Sequence, residues 1–191
     1  MKKIGVLALQ GDFAEHIFAL QKLGVEAFPI RLQKQLHGLD GLVIPGGEST
    51  SIAKLMQTYD LTETIQELVL QGLPVLGTCA GMILLSKNST QMGLKSIGAI
   101  DIEVRRNAFG RQINSFETDL SIPTLGKEPF RAIFIRAPII TKAGPEVDIL
   151  AQLEDGTNVA ARQGNVLVCA FHPELTDDTR FHRYFLEVVM G

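Results

Sequence analysis

The sequence predicts a three-layer α/β fold: a mostly parallel sheet flanked by helices, with additional antiparallel strands, in one domain over residues 1–191. Three observations predict it. Short apolar runs recur at residues 4–9, 42–44, 74–77 and 166–171, as strands covered on both faces require. Up to about Ser86 these runs alternate with amphipathic helical stripes, the pattern of βαβ units. Beyond Ser86 strand-like segments follow one another across loops of Gly, Pro and Asn, and a hydrophobic fraction of 46% is enough for a sizeable core.

In order, the run at residues 4–9 is the first strand, and Gln10-Gly11 turns the chain. Asp12 and Glu15 have the spacing of a capping box for a helix whose stripe is Phe13, Ile17, Leu20 and Leu23, with Gly24 as its stop. Residues 25–30 form a second strand and 42–44 a third, ending at the loop Pro45-Gly46-Gly47-Glu48-Ser49-Thr50. One helix begins at Ile52, Leu55 and Met56; another carries Ile65, Leu68 and Val69 and closes at Gly72. The strand at 74–77 leads to Cys79, and residues 87–94 read as a loop. Strand-like segments follow at 97–104, 112–120 and 130–135. Residues 147–153 and 159–162 flank a hairpin turn containing Asp155-Gly156. A last buried strand at 166–171 ends in His172-Pro173-Glu174. Thr176 is placed to cap a final helix with Asp177 and Asp178 in its first turn and Phe181, Tyr184, Phe185 and Val188 facing the core.

The totals exclude several functions. A net charge of −3 with no basic block leaves no electrostatic footprint for nucleic acid. Met1-Lys2-Lys3 starts like a signal peptide, but the apolar run behind it is too short, and no run reaches transmembrane length. The two cysteines, Cys79 and Cys169, suggest no disulfide framework and fit a reduced, cytoplasmic compartment.

The chemistry centres on Gly77-Thr78-Cys79-Ala80-Gly81, a strand, tight turn and helix with cysteine at the apex, in the form of a nucleophile elbow. The crowded turn requires small flanking residues, and the helix start favours a thiolate. His172-Pro173-Glu174 follows another buried strand. Residues two apart in an extended segment point to one side, so Glu174 can orient the near imidazole nitrogen and leave the other to exchange a proton with a nucleophile. Both motifs sit just after strands, where ligand sites of open α/β sheets lie. An oxyanion needs N–H donors, for which Ala80 and the Gly46-Gly47 loop are candidates. That loop has no Lys after its glycines and adds Glu48, unlike a phosphate loop.

Together, Pro45–Thr50, Gly77–Met82 and Phe171–Thr176 resemble, in order and spacing, the triad-type (class I) glutamine amidotransferases. Leu9-Gln10-Gly11 with Glu15-His16, the stretch 106–112, and Phe134-Ile135-Arg136-Ala137-Pro138 narrow the resemblance to the glutaminase subunits of pyridoxal 5′-phosphate synthases, over nearly the whole chain. The resemblance implies a class I amidotransferase-like, flavodoxin-like fold. It implies Cys79 as nucleophile, His172 as base and Glu174 as orienter, with Gly47 and Ala80 donating to the oxyanion. It implies Gly47, Glu48, Ser49, Arg106, Ile135 and Arg136 around L-glutamine, one arginine facing its carboxylate, with Arg105 the adjacent alternative. It also implies ammonia delivery, for vitamin B6 synthesis, to a (β/α)8-barrel synthase subunit in a large hetero-oligomer, and no metal or cofactor. The Gly46-Gly47 peptide is the expected switch for activity that depends on the partner.

Outside these motifs, Cys169 reads as packed core, and His16 as a solvated or capping histidine or part of a partner contact. His37 and His182 have no companions at metal-ligand spacing. Arg105, Arg106 and Arg111 read as surface charge unless the family motif uses them.

Overall fold

The computed structural model describes residues 1–89, 96–110 and 114–191. The first half mixes strands and helices: β1 (Lys3–Leu7), α1 (Phe13–Lys22), β2 (Glu26–Ile30), β3 (Gly41–Ile44), α2 (Ser49–Thr58), α3 (Leu61–Leu70), β4 (Val75–Thr78) and α4 (Ala80–Leu85). The second half is mostly strand: β5 (Ser86–Ser89), β6 (Ile100–Arg105), β7 (Ser115–Leu120), β8 (Phe130–Ile135), β9 (Ile139–Ala143), β10 (Asp148–Gln152), β11 (Asn158–Gln163) and β12 (Val166–Cys169), before the final helix α5 (Arg180–Met190).

The main sheet runs β2-β1-β3-β4-β12-β11-β9-β6-β5, with β10 on β11, and β7 and β8 form a separate antiparallel pair. The strands from β2 to β12 are mutually parallel, and the apolar runs of β1, β3, β4 and β12 are buried, while β2 at the edge is partly so. In register, Val43 faces Leu76, and Thr78 faces Cys169. The carboxyl ends of β1, β3, β4 and β12 therefore finish side by side, and the loops that follow them share one edge. The β7–β8 pair is anchored by aromatics: Phe116 stacks on Phe134 at 4.6 Å, and Phe134 meets Phe171 edge-on at 5.8 Å.

Several local expectations are corrected. Asp12 precedes α1 but makes no side-chain cap. Its backbone N–H instead donates to the Gly46 carbonyl at 3.3 Å, tying the first loop to the glycine loop. Thr176 does not cap α5, which starts four residues later; the Asp178 carboxylate accepts from the Arg180 N–H at 3.0 Å. The expected loop at 87–94 begins as β5, parallel to β6 through Asn88 opposite Glu103; residues 90–95 lie outside the described residues. Arg111 and Gln112, with Ile113, also lie outside them, so the strand expected at 112–120 is described as β7 only. The strand β9 went unpredicted, although Ile139-Ile140-Thr141 is a β-branched run straight after Pro138. Among the described residues, no helix is long and apolar enough to cross a membrane.

Candidate active site

Cys79 stands between β4 and α4 at φ 48° and ψ −102°, a backbone conformation that costs a non-glycine residue about 1–3 kcal/mol. The surroundings impose it. Cys79 N–H donates to the Cys169 carbonyl at 2.8 Å, locking the elbow to β12. A β-carbon on Gly77 would lie 2.8 Å from the Gly81 backbone, and one on Gly81 would run into the Ile44 carbonyl oxygen. The flanking glycines are thus required by close approach. The Cys79 Sγ lies 3.8 Å from the Ile135 carbonyl oxygen and is mostly buried.

His172 follows β12, and its N–H donates to the Ile133 carbonyl at 2.8 Å, so β8 sets its height above the sheet edge. Its Nδ1 meets Glu174 Oε1 at 2.7 Å. The route differs from the expected extended His-x-Glu: Pro173–Leu175 is a 3-10 turn, which folds the carboxylate back beneath the ring. The glycine loop closes the other side, since a β-carbon on Gly46 would fall 2.5 Å from the His172 ring and 3.4 Å from the Cys79 β-carbon. Asp12 Oδ2 adds a second carboxylate 3.5 Å from His172 Nδ1.

Burial opposes charge on His172, but its hydrogen bonds with Cys79 and Glu174 and their negative charge outweigh it and raise the imidazole to about 10. Burial likewise opposes the Glu174 carboxylate, yet His16 and His172 hold it well below the usual range. Asp12 is shifted the other way, upward, by burial. Cys169 is fully buried, and that burial pushes its thiol up.

His16 corrects the sequence reading most sharply. It is fully buried, with Nδ1 at 2.8 Å from His182 Nε2 and Nε2 at 3.1 Å from Thr78 Oγ1 and 3.2 Å from Glu174 Oε2. His182 is thus a hydrogen-bond partner of His16, and burial followed by the proximity of His16 lowers it to about 3. The signs for stability follow. His172, ordinarily near 6.5, adds stability that is complete below pH 6.5 and is lost as pH rises through about 10. His182 stays neutral on folding, so stability is lost as pH falls from 6.5 towards 3, and the depressed Glu174 acts the same way below about 4.5. The melting temperature should peak near pH 6.5; a steady climb from there to pH 9 would contradict a charged His172.

Gly47, Glu48, Ser49, Cys79, Ala80, Arg106, Ile135, Arg136 and His172 all line one cavity, which Glu174 supports from behind His172. Glu48 caps α2 by accepting from the Thr50 and Ser51 N–H groups at 3.0 and 2.7 Å. Burial raises Glu48, but bonds from the Ser51 hydroxyl and these N–H groups outweigh it and leave the carboxyl at about 2. Arg106 reaches the same place, 3.3 Å from both Glu48 Oε1 and Thr50 Oγ1, whereas the exposed Arg105 is not among the lining residues. The Ser49 hydroxyl is buried without a hydrogen-bond partner among the described residues. Gln10, Asp12, Ile83 and Asn107 complete the lining, and none of them was assigned a role in the site from the sequence. Gln10 Oε1 accepts from the Glu48 N–H at 2.7 Å; its place directly after the first apolar run was the available signal.

A parallel sheet whose central strands end in a cysteine elbow, a glycine loop and a His-x-Glu turn has the architecture of the glutamine amidotransferases. A crystal structure described as a glutamine amidotransferase superposes with a TM-score of 0.93 at 47% identity, covering 98% of this chain and 99% of that one. The chain belongs to the SNO glutamine amidotransferase family, whose model matches residues 6–191. It is 57% identical over 187 residues to the pyridoxal 5′-phosphate synthase subunit PdxT of Carboxydothermus hydrogenoformans, covering 98% of this chain and 97% of that protein. The same subunit of Herpetosiphon aurantiacus is 56% identical over 186 residues, covering 96% and 98%.

Proposed function

We propose that the chain is the glutaminase subunit of a pyridoxal 5′-phosphate synthase. As one glutamine amidotransferase domain, it hydrolyses the side-chain amide of L-glutamine and passes the ammonia to a synthase subunit. The observation that carries this reading is the meeting of Cys79, the His172–Glu174 pair and the Gly46-Gly47 loop on one sheet edge, in a chain of this family.

The Cys79 thiolate attacks the amide carbon. The Gly47 and Ala80 N–H groups receive the oxyanion. The Gly46 carbonyl is turned towards the Asp12 N–H, so in a trans peptide the Gly47 N–H points the opposite way. Protonated His172, oriented by Glu174, gives its proton to departing ammonia and then takes one from the water that hydrolyses the thioester. Glu48, Ser49, Arg106, Ile135 and Arg136 hold the amino-acid end of glutamine, and the unpartnered Ser49 hydroxyl supports that role. The partner is a (β/α)8-barrel subunit in a cytoplasmic hetero-oligomer. Docking acts through the Gly46-Gly47 peptide, whose contacts to Asp12 and to the His172–Cys79 pair make it responsive to both sides.

The test is glutamate release from L-glutamine, with and without a pyridoxal 5′-phosphate synthase barrel subunit. Stimulation by the partner is expected. No glutamate in its presence, or peptide cleavage without glutamine turnover, would overturn the reading.

A further inference from the structure

We propose that His16, braced by His182, is a positioning residue that holds the second carboxylate oxygen of Glu174 and thereby fixes the Glu174–His172 pair against Cys79. The inference rests on the function proposed above.

Glu174 uses Oε1 for His172, and its Oε2 is buried with no aligned hydrogen bond. The group that approaches Oε2 is His16 Nε2, at 3.2 Å, and the same nitrogen lies 3.1 Å from Thr78 Oγ1. This nitrogen is hydrogen-bonded to Thr78, the residue immediately before Cys79, and lies against the carboxylate oxygen as an electrostatic contact. A lone pair on Nε2 would repel the carboxylate, so this nitrogen carries a proton. The other nitrogen, Nδ1, then serves as an acceptor, to which His182 Nε2 donates at 2.8 Å. The remaining atom, His182 Nδ1, has no hydrogen-bond partner among the described residues, and in this arrangement it is a lone pair. The opposite direction would bury an unpartnered N–H there, the costlier choice. The two rings come from α1 and α5 and meet edge-on at a centroid distance of 5.1 Å. They form a dry brace leading from the far helix to the back of Glu174. Apolar side chains would fill this space without any desolvation cost, whereas the histidines place one donor at the carboxylate.

The experiment measures glutaminase kinetics of the full chain with the barrel synthase subunit. His16→Leu should lower kcat about ten- to hundredfold, the worth of one hydrogen bond to a charged group, with KM for glutamine within about twofold. His16→Gln, whose amide nitrogen reaches the Nε2 position, should recover most of the loss; His16→Asn, which reaches only Nδ1, should not. In a Glu174→Ala background His16→Leu should cost little further, because it acts through that carboxylate. Wild-type kcat in His16→Leu, equal kcat in the folded Gln and Asn variants, or full additivity with Glu174→Ala would overturn the inference. Should His16→Leu fail to fold, the Gln and Asn pair decides. A wild-type chain inert towards glutamine would instead refute the proposed function.

Discussion

Replacing Cys79 with alanine should reduce glutamate release from L-glutamine by about ten-thousandfold or more, even with the synthase subunit present. In the proposed thioester path the other cysteine of the sequence, Cys169, does not offer a substitute. Cys169 lies inside β12, fully buried with its thiol pushed up, and its Sγ donates to the Phe171 carbonyl at 3.3 Å. The fold should survive. Alanine is smaller than cysteine, the elbow is held by backbone contacts to Cys169 and Ile44, and the Sγ contact with Ile135 is long at 3.8 Å. The charge balance changes as well: without the thiol, His172 loses one of the partners that raise it to about 10, and its titration should move towards neutrality. Steady-state glutamate production and an NMR titration of the imidazole check the two effects. Residual turnover within tenfold of wild type would rule out Cys79 as nucleophile.

The second large effect is structural. Gly81→Ala should lower stability by about 3 kcal/mol, a fall of roughly 10 °C in melting temperature for a chain of this size. The new β-carbon would collide with the Ile44 carbonyl oxygen, a backbone atom that cannot rotate away. Ile44 ends β3 and leads into Gly46-Gly47, so the displacement passes into the loop against His172 and Cys79, and activity should fall with stability. Gly24 is the control: a β-carbon there meets nothing within 4 Å, although φ is 79°, so Gly24→Ala should cost only about 1 kcal/mol or slightly more. Melting followed by circular dichroism compares them. Equal losses would show that the close approach to Ile44 does not govern Gly81.

Much of the site was legible in the sequence because its parts are local. A buried strand announces itself by an apolar run, and residues just after such a run must emerge at a sheet edge. Cys79, His172 and Gly46-Gly47 could be placed there before any packing was known. Capping was less legible. The same Asp-x-x-Glu and Thr-x-x patterns that mark helix starts also occur where another loop satisfies the backbone first, as Gly46 does for Asp12. Glu48, whose own N–H is likewise taken by another loop through Gln10, nonetheless caps α2 with its carboxylate.

By itself, then, the sequence determined the parallel core, the elbow and the chemical types of the groups gathered at its edge, because hydrophobic period and turn chemistry act over a few residues. Tertiary structure alone decided the rest. The 3-10 turn, and not an extended strand, brings Glu174 under His172, and His16 leaves solvent to meet His182, which lies 166 positions further along the chain. Nothing within a helical turn of His16 distinguishes a solvated histidine from a buried one. Only the packing of α1 and α5 around the sheet creates the dry, charged pocket in which its proton position matters.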